Sequence, residues 1–227
     1  MSVTPTEDFV EALPFRGRIL VRRLETFGDI VVGFSMSQLA LQLGLPKTPQ
    51  DLTNDPVRYY LFFLTFAVIA VSWTRYHRMM TSAFAPHRFD LVLAFAYLAF
   101  IALLPYALYA NVRLAFHPGG AQYGFAAYAL CLIGTSIAAM LISWRALRRA
   151  SGILVEQELA RLRQRTAIEA GLAGIFSIAL ALDLAFGIDG SVVLIAIPIW
   201  LRFVRLRFRP PGWSETHVHG VAPPASE

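Results

Sequence analysis

The sequence predicts an all-α membrane protein of six transmembrane helices with both termini cytoplasmic. Three observations carry that prediction. Of 227 residues, 56% are hydrophobic and only 15% charged, with a mean hydropathy of +0.55, whereas soluble domains carry about 25% charge. The apolar residues gather into six long runs, which as helices would approach or cross the ~30 Å hydrocarbon core of a bilayer. The basic residues sit at the run ends and alternate in side. With six spans and an inner N-terminus, all of the 20 Lys and Arg except Lys47, Arg58 and Arg113 fall inside. Such an excess marks the cytoplasmic face, and an odd number of spans would destroy it.

Taken in order, the first run is Phe27–Leu45, preceded by Arg22 and Arg23. Its 19 residues would form a helix of about 28 Å. The second is Tyr59–Tyr76, the third Phe89–Ala110, the fourth Tyr123–Trp144 and the fifth Ala167–Phe186. The sixth is Val192–Phe208. Pro105 lies in the third and Pro198 near the middle of the sixth; each removes a backbone donor and predicts a kink. Between the fourth and fifth runs, Arg145–Thr166 reads as an extension of the fourth helix, a break near Ser151–Gly152 and a restart as VEQELARLRQR. The charges of that restart suit a solvated or headgroup-facing helix. Asp90, Glu169, Asp183 and Asp189 fall at run ends and read as exposed helix-end charges. Residues 1–210 therefore form one transmembrane domain, and residues 211–227, rich in Pro, Gly, Ser and His, are expected to be a disordered cytoplasmic tail.

Composition excludes several classes. The net charge of +5 and pI near 9.7 arise from arginines at the ends of apolar runs, so the basic residues point to a lipid bilayer and not to nucleic acid. Cys131 is the one cysteine, which rules out an internal disulfide and a metal centre built on thiolates. The first fifteen residues include Glu7, Asp8 and Glu11 and lack an apolar core, so no secretory signal is expected. No glycine-rich phosphate loop, His-Glu-x-x-His, nucleophile elbow or paired-cysteine motif occurs. No enzyme, cofactor or metal is predicted; His217 and His219 read as part of a polar tail.

The first run differs from the others. It carries Ser35, Ser37, Gln38 and Gln42 in its middle. Side-chain amides are costly in hydrocarbon, so this helix should face protein or water. At 100° per residue, Phe27, Val31, Phe34, Gln38, Leu41 and Leu45 fall on an arc of about 80°. Two readings are open from spacing alone: Gln38 and Gln42 as hydrogen-bonding glue between helices, or as the lining of a water-filled path.

The stretch Arg23-Leu-Glu-Thr-Phe27-Gly28-Asp29 resembles the Arg-x-x-x-Phe-Ser-Asp signature of the transmembrane protein 175 family. Trp73-Thr-Arg-Tyr-His77-Arg78 in the second run is similar to that family's Trp-x-Asn-His-His-Arg, and Leu103-Leu104-Pro105 continues the likeness. The resemblance covers residues 16–110 best and is one of hydropathy beyond them. It implies a homotetrameric potassium channel of the bacterial single-repeat type, in the bacterial inner membrane. It also implies that the first helix of each subunit lines the pore, conducting monovalent cations past rings of side chains. Carried residue by residue onto this chain, the constriction falls on Phe34, Gln38 and Leu41, with Ser37 and Gln42 supplying hydration. Arg23, Phe27, Asp29, Trp73 and His77 become a clamp that orients the first helix. The chain departs from the signature at Gly28, where the family has serine, and at Phe34 and Gln38, where it has aliphatic rings. A ring of Gln38 amides offers donors and acceptors together and holds water more readily than leucine.

A second reading is a non-conducting membrane scaffold or partner subunit of the same fold, with Arg145–Arg165 as its lipid-binding or partner-binding segment. A proton-coupled transporter finds no support, because no carboxylate falls at mid-membrane and no internal repeat or discontinuous helix pair is evident.

Overall fold

A computed structural model describes residues 15–41, 43, 56–82, 84–85, 87–115, 120–150, 156–187, 193 and 195–208. Within these, the chain forms six α-helices and no strand. They are α1 (Phe15–Leu41), α2 (Pro56–Ser82), α3 (Arg88–Ala115), α4 (Ala121–Ala150), α5 (Glu156–Phe186) and α6 (Ala196–Arg207). Gln42, Asp189 and the tail 211–227 lie outside the described residues.

The helices pack chiefly α3 on α4 and α4 on α5, with α1 laid across α2 and α3 and α6 against α5. One apolar core joins the first four. Val21, Leu24, Val32 and Leu39 enter it from α1, Ile69, Tyr76 and Met80 from α2, Tyr97 and Ile101 from α3, and Ile142 from α4. On α1 these residues recur at helical spacing and leave the opposite face uncovered. Side-chain hydrogen bonds cross this core where an aromatic hydroxyl would otherwise be stranded: Tyr76 donates to Leu24 O at 2.9 Å and Tyr97 to Ser72 O at 2.8 Å.

Three segments, Arg88–Leu114, Gln122–Arg149 and Leu159–Phe186, are long and apolar enough to cross a membrane by length and composition. α1 and α2 are equally long at 27 residues, about 40 Å, but their charges dilute the apolar content.

The helix boundaries revise the sequence reading in three places. α1 begins at Phe15, well before Phe27, so the paired arginines Arg22 and Arg23 are inside the helix. The fourth helix does extend, to Ala150, and a helix does restart at Glu156, but the restart is continuous with the fifth run: α5 goes unbroken from Glu156 to Phe186. Pro198 does not kink the sixth helix, because α6 starts at Ala196 and the proline falls in its first turn, where a backbone donor has no intrahelical partner to lose.

A fourth revision concerns charge. Asp90 is 0% exposed, and Glu169 and Asp183 are also buried, so none is an exposed helix-end charge. Asp90 accepts from Arg145 Nε at 2.6 Å and from Arg149 Nη1 at 2.5 Å. Glu169 forms a two-pronged pair with Arg75, from Nε to Oε1 at 2.9 Å and from Nη2 to Oε2. A carboxylate can leave water only when its charge and lone pairs are met in this way.

Candidate pore helix and its clamp

The clamp is built from two helices running in opposite directions. Glu25 and Asp29 lie four residues apart on α1, and Trp73 and His77 four apart on α2, so each pair occupies one helix face. Antiparallel packing then matches them crosswise. Trp73 Nε1 donates to Asp29 Oδ1 at 2.8 Å, and His77 Nδ1 lies 2.7 Å from Glu25 Oε1. Between these two bridges, Tyr76 donates its hydroxyl to Leu24 O.

Gly28 makes this approach possible. A Cβ at position 28 would stand 2.3 Å from Tyr76 Cε1, closer than any van der Waals contact. The aromatic ring fills the space that a side chain on α1 would take, and stacks in turn on Tyr97 at 5.7 Å between ring centroids. The departure from serine at position 28 and the tyrosine at 76 are thus two halves of one packing solution.

Of the expected clamp residues, Asp29 and Trp73 are brought into direct contact, while His77 takes Glu25, which the motif reading did not include. Phe27 meets Phe95 of α3 edge to face at 5.6 Å between centroids. Arg23 lies exposed on α1, apart from these contacts. The matching four-residue spacing of Glu25 and Asp29 with Trp73 and His77 was the available signal for the second bridge.

The other face of α1 is covered by none of the described helices. Ile30 is 63% exposed, Phe34 61% and Leu41 80%, and Gly33, Ser37 and Ala40 are exposed among them. Gln38 is half-buried at the margin of this strip. Ser37 satisfies its hydroxyl within the helix, donating to Gly33 O at 2.9 Å; Ser35 does the same to Val31 O but from the buried side. Gln42 is not among the described residues. Ile30, one turn before Phe34, belongs to the strip and was not singled out from the sequence; its spacing of four from Phe34 was the signal.

The exposed faces of α2 and α3 are richer in large apolar residues, with Ala67 and Ala99 among them. They present Tyr60, Phe63, Leu64, Phe66 and Val71, and Phe89, Val92, Phe95, Leu103 and Tyr106, as a surface against acyl chains should. The α1 strip interleaves large apolar residues with glycine, alanine and a hydroxyl.

Residues 23–105 match the family model described as endosomal/lysosomal potassium channel TMEM175. A search of curated proteins finds no match. Among solved structures, a crystal structure of a variant of the potassium channel MtTMEM175, in complex with a nanobody–MBP fusion, matches with a TM-score of 0.65 at 18% identity. That match covers 91% of this chain and 99% of the other. The α1–α2 clamp lies inside the matched stretch, and the fold as a whole is of the TMEM175 type.

Proposed function

We infer that this chain is one subunit of a cation channel, a homotetramer in a bacterial inner membrane with potassium as the permeant ion. In this reading the six helices span the bilayer with both termini cytoplasmic, and α1 of each subunit stands at the shared axis. Phe34, Gln38 and Leu41 form the narrow part and Ile30 a ring one turn below it. Ser37 and Gln42 keep water in the path. Asp29–Trp73 and Glu25–His77 fix the rotation of α1 so that its uncovered strip turns inward.

The observation that carries the reading is the composition of that strip. An uncovered face carrying Gly33, Ser37 and Ala40 between Ile30, Phe34 and Leu41 suits close approach of identical helices better than contact with lipid. Apolar side-chain rings with intervening hydroxyls also suit a path that wets and dewets. The half-buried Gln38 amide meets no hydrogen-bond partner among the described residues, which favours a water-facing role over interhelical glue.

The test is potassium flux through the reconstituted protein with single cysteines on α1. Native Cys131 is buried, so the background is low. A charged, water-soluble thiol reagent should block flux through Ser37→Cys or Leu41→Cys and leave Val32→Cys, on the core face, unaffected. Flux indifferent to every cysteine on the strip rejects this pore. A particle mass equal to one subunit leaves the non-conducting scaffold.

A further inference from the structure

The charges of α1 are sorted by face. The helix carries two carboxylates, Glu25 and Asp29, and both turn to α2. Asp29 accepts from Trp73 Nε1 at 2.8 Å, and Glu25 lies 2.7 Å from His77 Nδ1. Arg23 is exposed and meets no carboxylate among the described residues. The buried acids that could have drawn it in are already met, Glu169 by Arg75 and Asp90 by Arg145 and Arg149.

At 100° per residue, Arg23, Ile30, Phe34 and Leu41 fall on an arc of about 40°. Asp29 and Glu25 stand about 120° and 160° round the helix from Arg23. Arg23 is thus the charged residue in line with the uncovered strip, about 10 Å before Ile30 along the axis. The contacts that fix the rotation of α1 turn its acids away from that strip and leave a guanidinium on it. Where copies of α1 gather about an axis, each brings one Arg23 to the same mouth. A permeant cation is depleted there, because like charges repel across an opening that water screens only in part. Rings of charged side chains are a common means of setting what a pore admits.

We propose that Arg23 forms a cationic ring at one mouth of the path and makes conduction unequal in its two directions. Cations entering from the Arg23 end pass less easily than cations entering from the Leu41 end. This rests on the reading of the uncovered α1 strip as the pore lining, and adds to it the sign of one mouth. In that reading the Arg23 end is cytoplasmic, so the hindered direction is outward.

The experiment records single channels of the full chain in planar bilayers with equal potassium chloride on both sides. The ratio of currents at opposite voltages reports the asymmetry whichever way the protein inserts. At about 0.1 M salt the ratio should be on the order of threefold, and at about 1 M, where the screening length shrinks to ~3 Å, it should approach unity. Arg23→Gln should bring the low-salt ratio close to unity. Arg23→Cys lets the charge alone be changed, since native Cys131 is buried: a positively charged thiol reagent should restore the asymmetry and a negatively charged one should reverse it. Arg202→Gln removes an exposed charge from α6, which packs on α5, and should leave the ratio as it was. Should the Arg23 variants fail to fold, the salt dependence of the unsubstituted channel decides. A low-salt ratio near unity in the unsubstituted protein overturns the proposal. So does a ratio that Arg23→Gln leaves unchanged, or one that Arg202→Gln abolishes equally; block through Leu41→Cys would still support the pore in those cases. Current that no cysteine on the strip can block overturns the pore reading and this proposal together.

Discussion

Gly28 and Tyr76 interlock across the α1–α2 contact: the tyrosine ring occupies the position where a Cβ on residue 28 would lie, 2.3 Å from Cε1. Both neighbouring helices are fixed at this height by hydrogen bonds, so the ring has little freedom to move aside. Gly28→Ala should therefore destabilise the protein by about 1–3 kcal/mol through overpacking, although helix propensity alone would favour alanine by ~1 kcal/mol. Thermal unfolding of Gly28→Ala in wild-type and Tyr76→Ala backgrounds checks this. The loss should disappear, or reverse, once the ring is removed.

The indole–carboxylate bond between Trp73 and Asp29 should act as one unit. Trp73→Phe keeps the ring and removes the donor; Asp29→Asn keeps the shape and removes the charge. Each should cost about 1 kcal/mol, because the pair is solvent-accessible. The double substitution should cost little more than either one. Additive losses in a double-mutant cycle would show that the two side chains do not depend on each other.

These clamp contacts were partly legible in the sequence and partly not. The positions of Asp29 and Trp73 at opposite ends of two apolar runs pointed to a bond between helices, and the antiparallel order followed from the alternating arginines. The burial of Asp90 and Glu169 was not legible. A carboxylate near the end of an apolar run looks the same whether it faces water or two arginines, and the partners Arg145 and Arg149 lie 55 and 59 residues away. Arg75 likewise read as one more interfacial charge until α5 placed Glu169 beside it. Helix existence came from hydropathy; helix ends did not, because charged first turns such as that of α5 continue a helix as well as they precede one.

Asp90 should be among the most sensitive charged positions of the fold. Asp90→Asn leaves two arginines facing a neutral amide in a dry site and should cost roughly 3–5 kcal/mol. Arg145→Gln should cost less, since Arg149 still neutralises the carboxylate. Midpoints of the two variants in detergent, measured side by side, give the order; the reverse order would contradict the shared pairing.

The α1 strip predicts opposite effects on flux at neighbouring positions. On the channel reading Phe34→Ala would widen the path and should raise potassium flux severalfold, while Gln38→Leu would remove the amide proposed to hold water and should lower it. Reconstituted vesicles loaded with potassium and monitored with a potential-sensitive dye measure both. Equal flux in all three proteins would place the conduction path elsewhere.

The bonds that tie α1 to its neighbours are unevenly distributed along it. Leu24, Glu25 and Asp29 hold α2 through a carbonyl and two carboxylates, whereas beyond Val31 the hydroxyls of Ser35 and Ser37 turn back onto their own helix. Swinging the Leu41 end of α1 sideways about Asp29 thus breaks no charged contact among the described residues, and swinging the other end about Leu41 breaks two. Beyond Asp29 the described part of the helix is held by apolar packing, with Val32 and Leu39 in the core, so on the channel reading mechanical work done on it, by lipid tension or by a neighbouring subunit, would be converted into a change of bore at the Leu41 end.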